Sequence, residues 1–119
     1  MFVQKLSNLI PEQPELGKQL ALLSRYCEPR LDRLARLRLD VNQLFDITDA
    51  GSQDRLAKLV VLLTSAGLFQ QTVLVTPPHG AAYRFASISD VPDELRDPVD
   101  DVIFEVGAEH ISFSYAPIP

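Results

Sequence analysis

The side chains that could do acid–base, nucleophilic or metal chemistry are few and scattered. The two histidines, His79 and His110, fall in separate predicted turns. Asp100, Asp101, Glu105 and Glu109 stand near His110 in the sequence, and together they could be imagined as metal ligands. Residues of a hairpin alternate faces, however, and no ligand spacing of a recognised kind appears. They read as a solvated acidic rim, and neither a metal nor a cofactor is expected. Cys27 lies on the apolar face of a predicted helix and reads as a buried, inert thiol. A nucleophile there would need an adjacent base or a cationic setting. The five glycines are dispersed, so no glycine-rich phosphate loop exists. No catalytic constellation emerges, and the chain is expected to be a non-enzymatic protein that binds a macromolecule.

The residues suited to binding fall in two groups. Arg30, Arg33 and Arg36, with Arg25 and Arg38 nearby, place five arginines within fourteen positions. Such a cluster can be a solvated face partly paired with Glu28 and Asp32, a phosphate contact, or a dock for an acidic protein surface. The second group lies on the outer face of a helix predicted over 53–66. Ser52, Gln53, Arg55 and Lys58 are residue types that read DNA base edges. Asp54, Val61 and Leu62 on the same face are not, and two branched apolar residues there call for a covering surface.

The elements that position these residues follow from periodicity and caps. Phe2, Leu6, Leu9 and Ile10 recur at helical spacing, which predicts a helix over 3–10 that Pro11 ends. Pro14 can open a helix over 14–27, with Leu16, Leu20, Leu23 and Cys27 on one face. Pro29 opens one over 30–38, with Leu31, Leu34 and Ala35 inward. Asp40 and Gln43 form a capping box for a helix over 41–49. Ser52 can cap the next helix, whose inner face is Leu56, Leu59, Val60 and Leu63, and Gly67 can end it. Two strands follow, Val73–Thr76 and Ala82–Ser87, joined across Pro77-Pro78-His79-Gly80. Residues 89–101 form an acidic connector with two prolines, expected as a loop with room for one turn of helix. A second hairpin is expected over 102–116, with Gly107-Ala108-Glu109-His110 as its turn.

From Asp40 to Ser87 the chain resembles a winged helix-turn-helix domain. The resemblance rests on Asp40-Val41-Asn42-Gln43-Leu44-Phe45, the break at Asp49-Ala50-Gly51-Ser52, and a second helix closing on Ala66-Gly67-Leu68-Phe69. Tyr83-Arg84-Phe85 supplies the return strand of the wing. The resemblance implies an α+β fold with a winged-helix core at 40–88, to which the chain adds an N-terminal helix and a C-terminal hairpin. All 119 residues are expected to form one domain.

Charge decides between two uses of such a module. Residues 1–60 hold nine Lys/Arg and eight Asp/Glu, whereas residues 61–119 hold two and eight. An acidic second half repels a polyanion. The favoured expectation is a protein–protein interaction or assembly subunit, an adaptor that acts through Arg30, Arg33, Arg36, Val61 and Leu62. The alternative, which the resemblance implies, is a DNA-binding transcriptional regulator, dimeric for useful affinity. There Ser52, Gln53, Arg55 and Lys58 would reach bases, with His79 and Arg84 near phosphates. The wing tip offers only His79 where phosphates call for basic groups. No apolar run of membrane-spanning length and no signal peptide is visible, and the single cysteine excludes an internal disulfide, so the cytoplasm is expected.

Overall fold

The computed structural model describes residues 2–119 and is α+β. Its helices are α1 (Phe2–Leu9), α2 (Gly17–Cys27), α3 (Val41–Thr48) and α4 (Gln53–Ser65). Its strands are β1 (Leu39–Asp40), β2 (Phe69–Val75), β3 (Tyr83–Phe85), β4 (Glu94–Asp97), β5 (Val102–Glu105) and β6 (Ile111–Pro117). One sheet has four strands in the order β1-β6-β2-β3, and β4 and β5 form a second sheet of two. Packing clusters into two compact units, Met1–Gln70 with Tyr115–Pro119, and Gln71–Ser114. No helix among the described residues is long and apolar enough to cross a membrane.

The helical unit follows its local signals closely. Asp40 accepts from the Gln43 backbone N–H at 2.8 Å, and the Gln43 side chain accepts from the Asp40 N–H at 2.9 Å. This reciprocal pair satisfies two donors at the start of α3 that have no partner within the helix. Ser52 caps α4 by accepting from Arg55 N–H at 3.2 Å. At the other end Gly67 adopts φ 72°, its N–H donates to Thr64, and Leu68 N–H donates to Leu63. Only a residue free of Cβ strain closes a helix this way at low cost. The core of this unit is built from Leu6, Leu20, Leu23, Leu44, Leu59 and Leu63, none more than 1% exposed. The N-terminal helix belongs to it: Phe2 is buried and meets Phe69 edge-on at 5.7 Å between ring centroids.

One helix departs from expectation. Residues 28–36 are 3-10 rather than α, with non-helical backbone at Arg30 and Arg33. Three residues per turn and two kinks break the 3.6-residue register. Leu34 is therefore buried as expected, but Leu31 is 51% exposed and Ala35 is exposed rather than inward.

The second unit departs further. The β2–β3 pair forms as expected, antiparallel, with Val73 opposite Phe85 and Val75 opposite Tyr83. The stretch 89–101 starts with a short 3-10 turn, Ile88–Asp90, in keeping with the room for one helical turn, but its second half is strand β4 rather than loop. Strand β5 pairs antiparallel with β4, Asp97 opposite Val102, and not with β6. The hairpin expected over 102–116 is thereby corrected. Its first strand belongs to the two-stranded sheet and its second to the four-stranded one. The physical reason is the turn at Pro98–Asp101. Asp101 takes a left-handed φ of 57° and its N–H donates to the Asp97 carbonyl at 2.8 Å, closing Pro98–Asp101 as a tight reversal.

Candidate interaction surface

Helix α4 divides its residues sharply. Leu56, Leu59 and Leu63 turn into the core at 5%, 0% and 1% exposure, while Val61 stands 65% exposed on the outer side. Leu62 is half-buried beside it. Val61 and Leu62, with Leu16, Ala57, Lys58 and Ser65, line an open cleft of about 430 Å³. Val61 also lines a second cleft, of about 300 Å³, with Val41, Val60 and Tyr115. The result is an apolar ridge with a depression on either side, which fits a ridge-and-groove contact with another protein surface. Burial raises the pKa of the Tyr115 hydroxyl, so it stays neutral beside this face.

The polar residues at the start of α4 are partly committed elsewhere. The Ser52 hydroxyl is engaged as the helix cap. The Arg55 guanidinium donates to the Ala50 carbonyl at 3.1 Å, closing the turn between α3 and α4. That turn is fastened again at Asp49, which has φ 49° and whose carboxylate meets Lys18 Nζ at 2.6 Å. The hydrogen bond and charge of Lys18 hold the Asp49 carboxyl below its ordinary range. Gln53 and Lys58 remain exposed.

The arginine segment is likewise divided. The Arg30 guanidinium lies 3.8 Å above the Tyr26 ring centroid and donates to the Tyr26 carbonyl at 2.6 Å. A stacked arginine bonded to backbone is a packing element first. Arg33 and Arg36 are exposed. Nearby Cys27 is fully buried, and burial pushes its thiol up to about 11 against the opposing pull of Arg30.

At the tip between β2 and β3, His79 is not free. Its ring contacts the carboxylate of Asp100, and its Nδ1 lies 3.7 Å from Asp97 Oδ2. Asp97 is 3% exposed and accepts from the backbone N–H of His79 at 2.8 Å and of Val99 at 3.0 Å. Burial alone would raise its pKa, but these backbone donors, that of Asp100 and the His79 charge outweigh it and hold the carboxyl low. Arg84 is exposed on β3. Of the acidic residues near His110 in the sequence, Asp100 meets His79 and Asp101 meets Arg96, while Glu109 Oε1 lies 3.7 Å from His110 Nδ1. His110 Nδ1 accepts from Gly107 N–H at 2.9 Å, and its ring packs edge-on against Phe104 at 4.9 Å.

Asp97 is thus the residue that sequence reasoning did not single out, and Asp100 was grouped with His110 rather than with His79. The only available signal was Pro98 followed two residues later by Asp100-Asp101, a turn composition inside a stretch read as a loop. Comparison with known proteins finds no matching family model, no matching curated protein and no matching solved structure.

Proposed function

We propose that this chain is a non-enzymatic assembly module of winged-helix type, which binds another protein, or a second copy of itself, through the outer face of α4. The observation that carries the reading is Val61: a branched apolar side chain 65% exposed on a capped helix, with an apolar cleft on each side. Two capped helices around a tight turn, followed by an antiparallel strand pair, support the winged-helix element of the reading.

Binding DNA is the competing use of such a module, and the charge around the tip speaks against it. Residues 71–114 hold eight carboxylates and two arginines, and two of those carboxylates flank His79. The test runs both arms at once. Light scattering reports mass with and without the protein that co-purifies, and anisotropy reports binding to random-sequence duplex DNA at about 50 and 200 mM salt. Association that Val61→Asp abolishes, with no DNA binding, supports the reading. Tight DNA binding that falls by about 10³-fold or more across that salt range overturns it.

A further inference from the structure

We infer that His79, Asp97 and Asp100 form a binding site for a first-row divalent cation, zinc foremost. Their donor atoms, one from each residue, all lie within 4.8 Å of one another. Zinc bonded to imidazole nitrogen and carboxylate oxygen at about 2.0–2.2 Å sets neighbouring donors roughly 3.3 Å apart. The 3.7 Å from His79 Nδ1 to Asp97 Oδ2 is already close to that spacing. One nitrogen and carboxylate oxygens suit zinc and its neighbours better than calcium, which takes six to eight oxygens.

Three features separate this cluster from an ordinary acidic rim. First, Asp97 is buried and aimed by the backbone N–H groups of His79 and Val99. A carboxylate has about four lone-pair sites, so these bonds leave capacity for a metal and act as the outer hydrogen bonds that orient metal ligands. Second, the two loops are packed tightly: a Cβ on Gly80 would sit 2.7 Å from Pro98 Cδ and 3.3 Å from Asp97 Oδ1. The approach of loop 77–80 to loop 97–100 is therefore built into the backbone. Third, His79 and Asp100 have side chains 62% and 44% exposed, so they can adjust and leave the remaining coordination positions to water.

Charge is consistent with the assignment. A neutral imidazole and two carboxylates carry two negative charges, which a divalent cation balances. The metal would take the Nδ1 lone pair of the neutral imidazole, with the ring hydrogen on Nε2. The bound ion would join the two loops as a clasp.

The experiment is isothermal titration of zinc chloride into the chelator-treated full chain. The expected result is one saturable site per chain. Removing a ligand should cost more than the roughly 10–100-fold that losing an outer hydrogen bond costs. His79→Ala and Asp100→Asn should each weaken binding by at least about that much, while His110→Ala leaves it unchanged. Both tested residues are exposed, so the variants should fold, and a circular dichroism melt superimposable on the parent's verifies this. Asp97→Asn is avoided because it disturbs an acceptor of backbone donors. The assignment is overturned by absence of saturable binding, or by binding that survives both substitutions unchanged.

Discussion

Substituting Val61 by aspartate separates a face held open for a partner from one needed by the chain itself. About a third of the Val61 side chain is covered within the chain, since 65% of the residue is exposed. Full burial of a valine stabilises by about 1.5–3 kcal/mol, so the covered part contributes roughly 0.5–1 kcal/mol. Valine and aspartate have similar helix propensities, which adds little. Val61→Asp should therefore lower the unfolding free energy by about 1 kcal/mol. Leu59→Ala, at a site 0% exposed on the same helix, should lower it by about 2–5 kcal/mol. In the assembled state the order reverses. An aspartate pressed into an apolar cleft is a desolvated, unpaired charge, which costs at least about 3 kcal/mol, or more than a hundredfold in Kd. Urea unfolding followed by circular dichroism measures the first quantity, and concentration-dependent light scattering measures the second. The reasoning fails if Val61→Asp loses as much stability as Leu59→Ala, because the face is then covered within the chain. It fails equally if association survives Val61→Asp with its Kd unchanged.

Three further outcomes follow from the helical unit and the tip. Ser52→Ala removes the cap on α4 and should cost about 1 kcal/mol in urea unfolding, with Ser52→Gly costing only a few tenths. The buried Cys27 thiol, pushed up to about 11, should react with a thiol reagent only as fast as the chain opens, so its labelling rate should rise with urea rather than track thiolate content at neutral pH. Asp97 titrates below its ordinary value in the folded chain, so its ionised form stabilises the loops above the usual carboxylate value of about 3.9. That stabilisation is lost as pH falls through the lower folded value. The amides of His79 and Val99 should thus stay protected from exchange down to the ordinary carboxylate value of about 3.9 and lose protection together only as pH falls further, through the lower folded value.

The legible parts of this fold are those whose physics is local. Asp40 with Gln43, Ser52, and Gly67 each solve a backbone problem within four residues of themselves, and α3 and α4 lie where these residues place them. Leu56, Leu59 and Leu63 mark the buried face of α4 by spacing alone, which is also why Val61 could be placed on the outside. The segment 28–36 was harder because Pro29 and the arginines permit either helix type, and the kinks at Arg30 and Arg33 leave no α-helical period to read. Strand pairing was hardest. Val102–Glu105 has a usable partner on either side in the sequence, and the alternation of its own residues does not choose between them. Asp101, able to take a left-handed backbone, favours the four-residue reversal back to β4.

That one pairing decides how the tip behaves. Asp97 lies 18 residues beyond His79 and accepts from its backbone N–H, and β4 and β5 fold back on each other across the turn that holds Asp100. Once they do, Asp97 and Asp100 meet the histidine that a DNA-gripping wing would turn toward phosphate. A phosphate approaching the other ring nitrogen of His79 would meet repulsion from Asp100 at Nδ1 and from the buried Asp97. A divalent cation meets the opposite balance, since both carboxylates attract it. The same three side chains that weaken the case for nucleic acid at this tip are those that favour a metal there, and both consequences trace to the short turn at Pro98–Asp101.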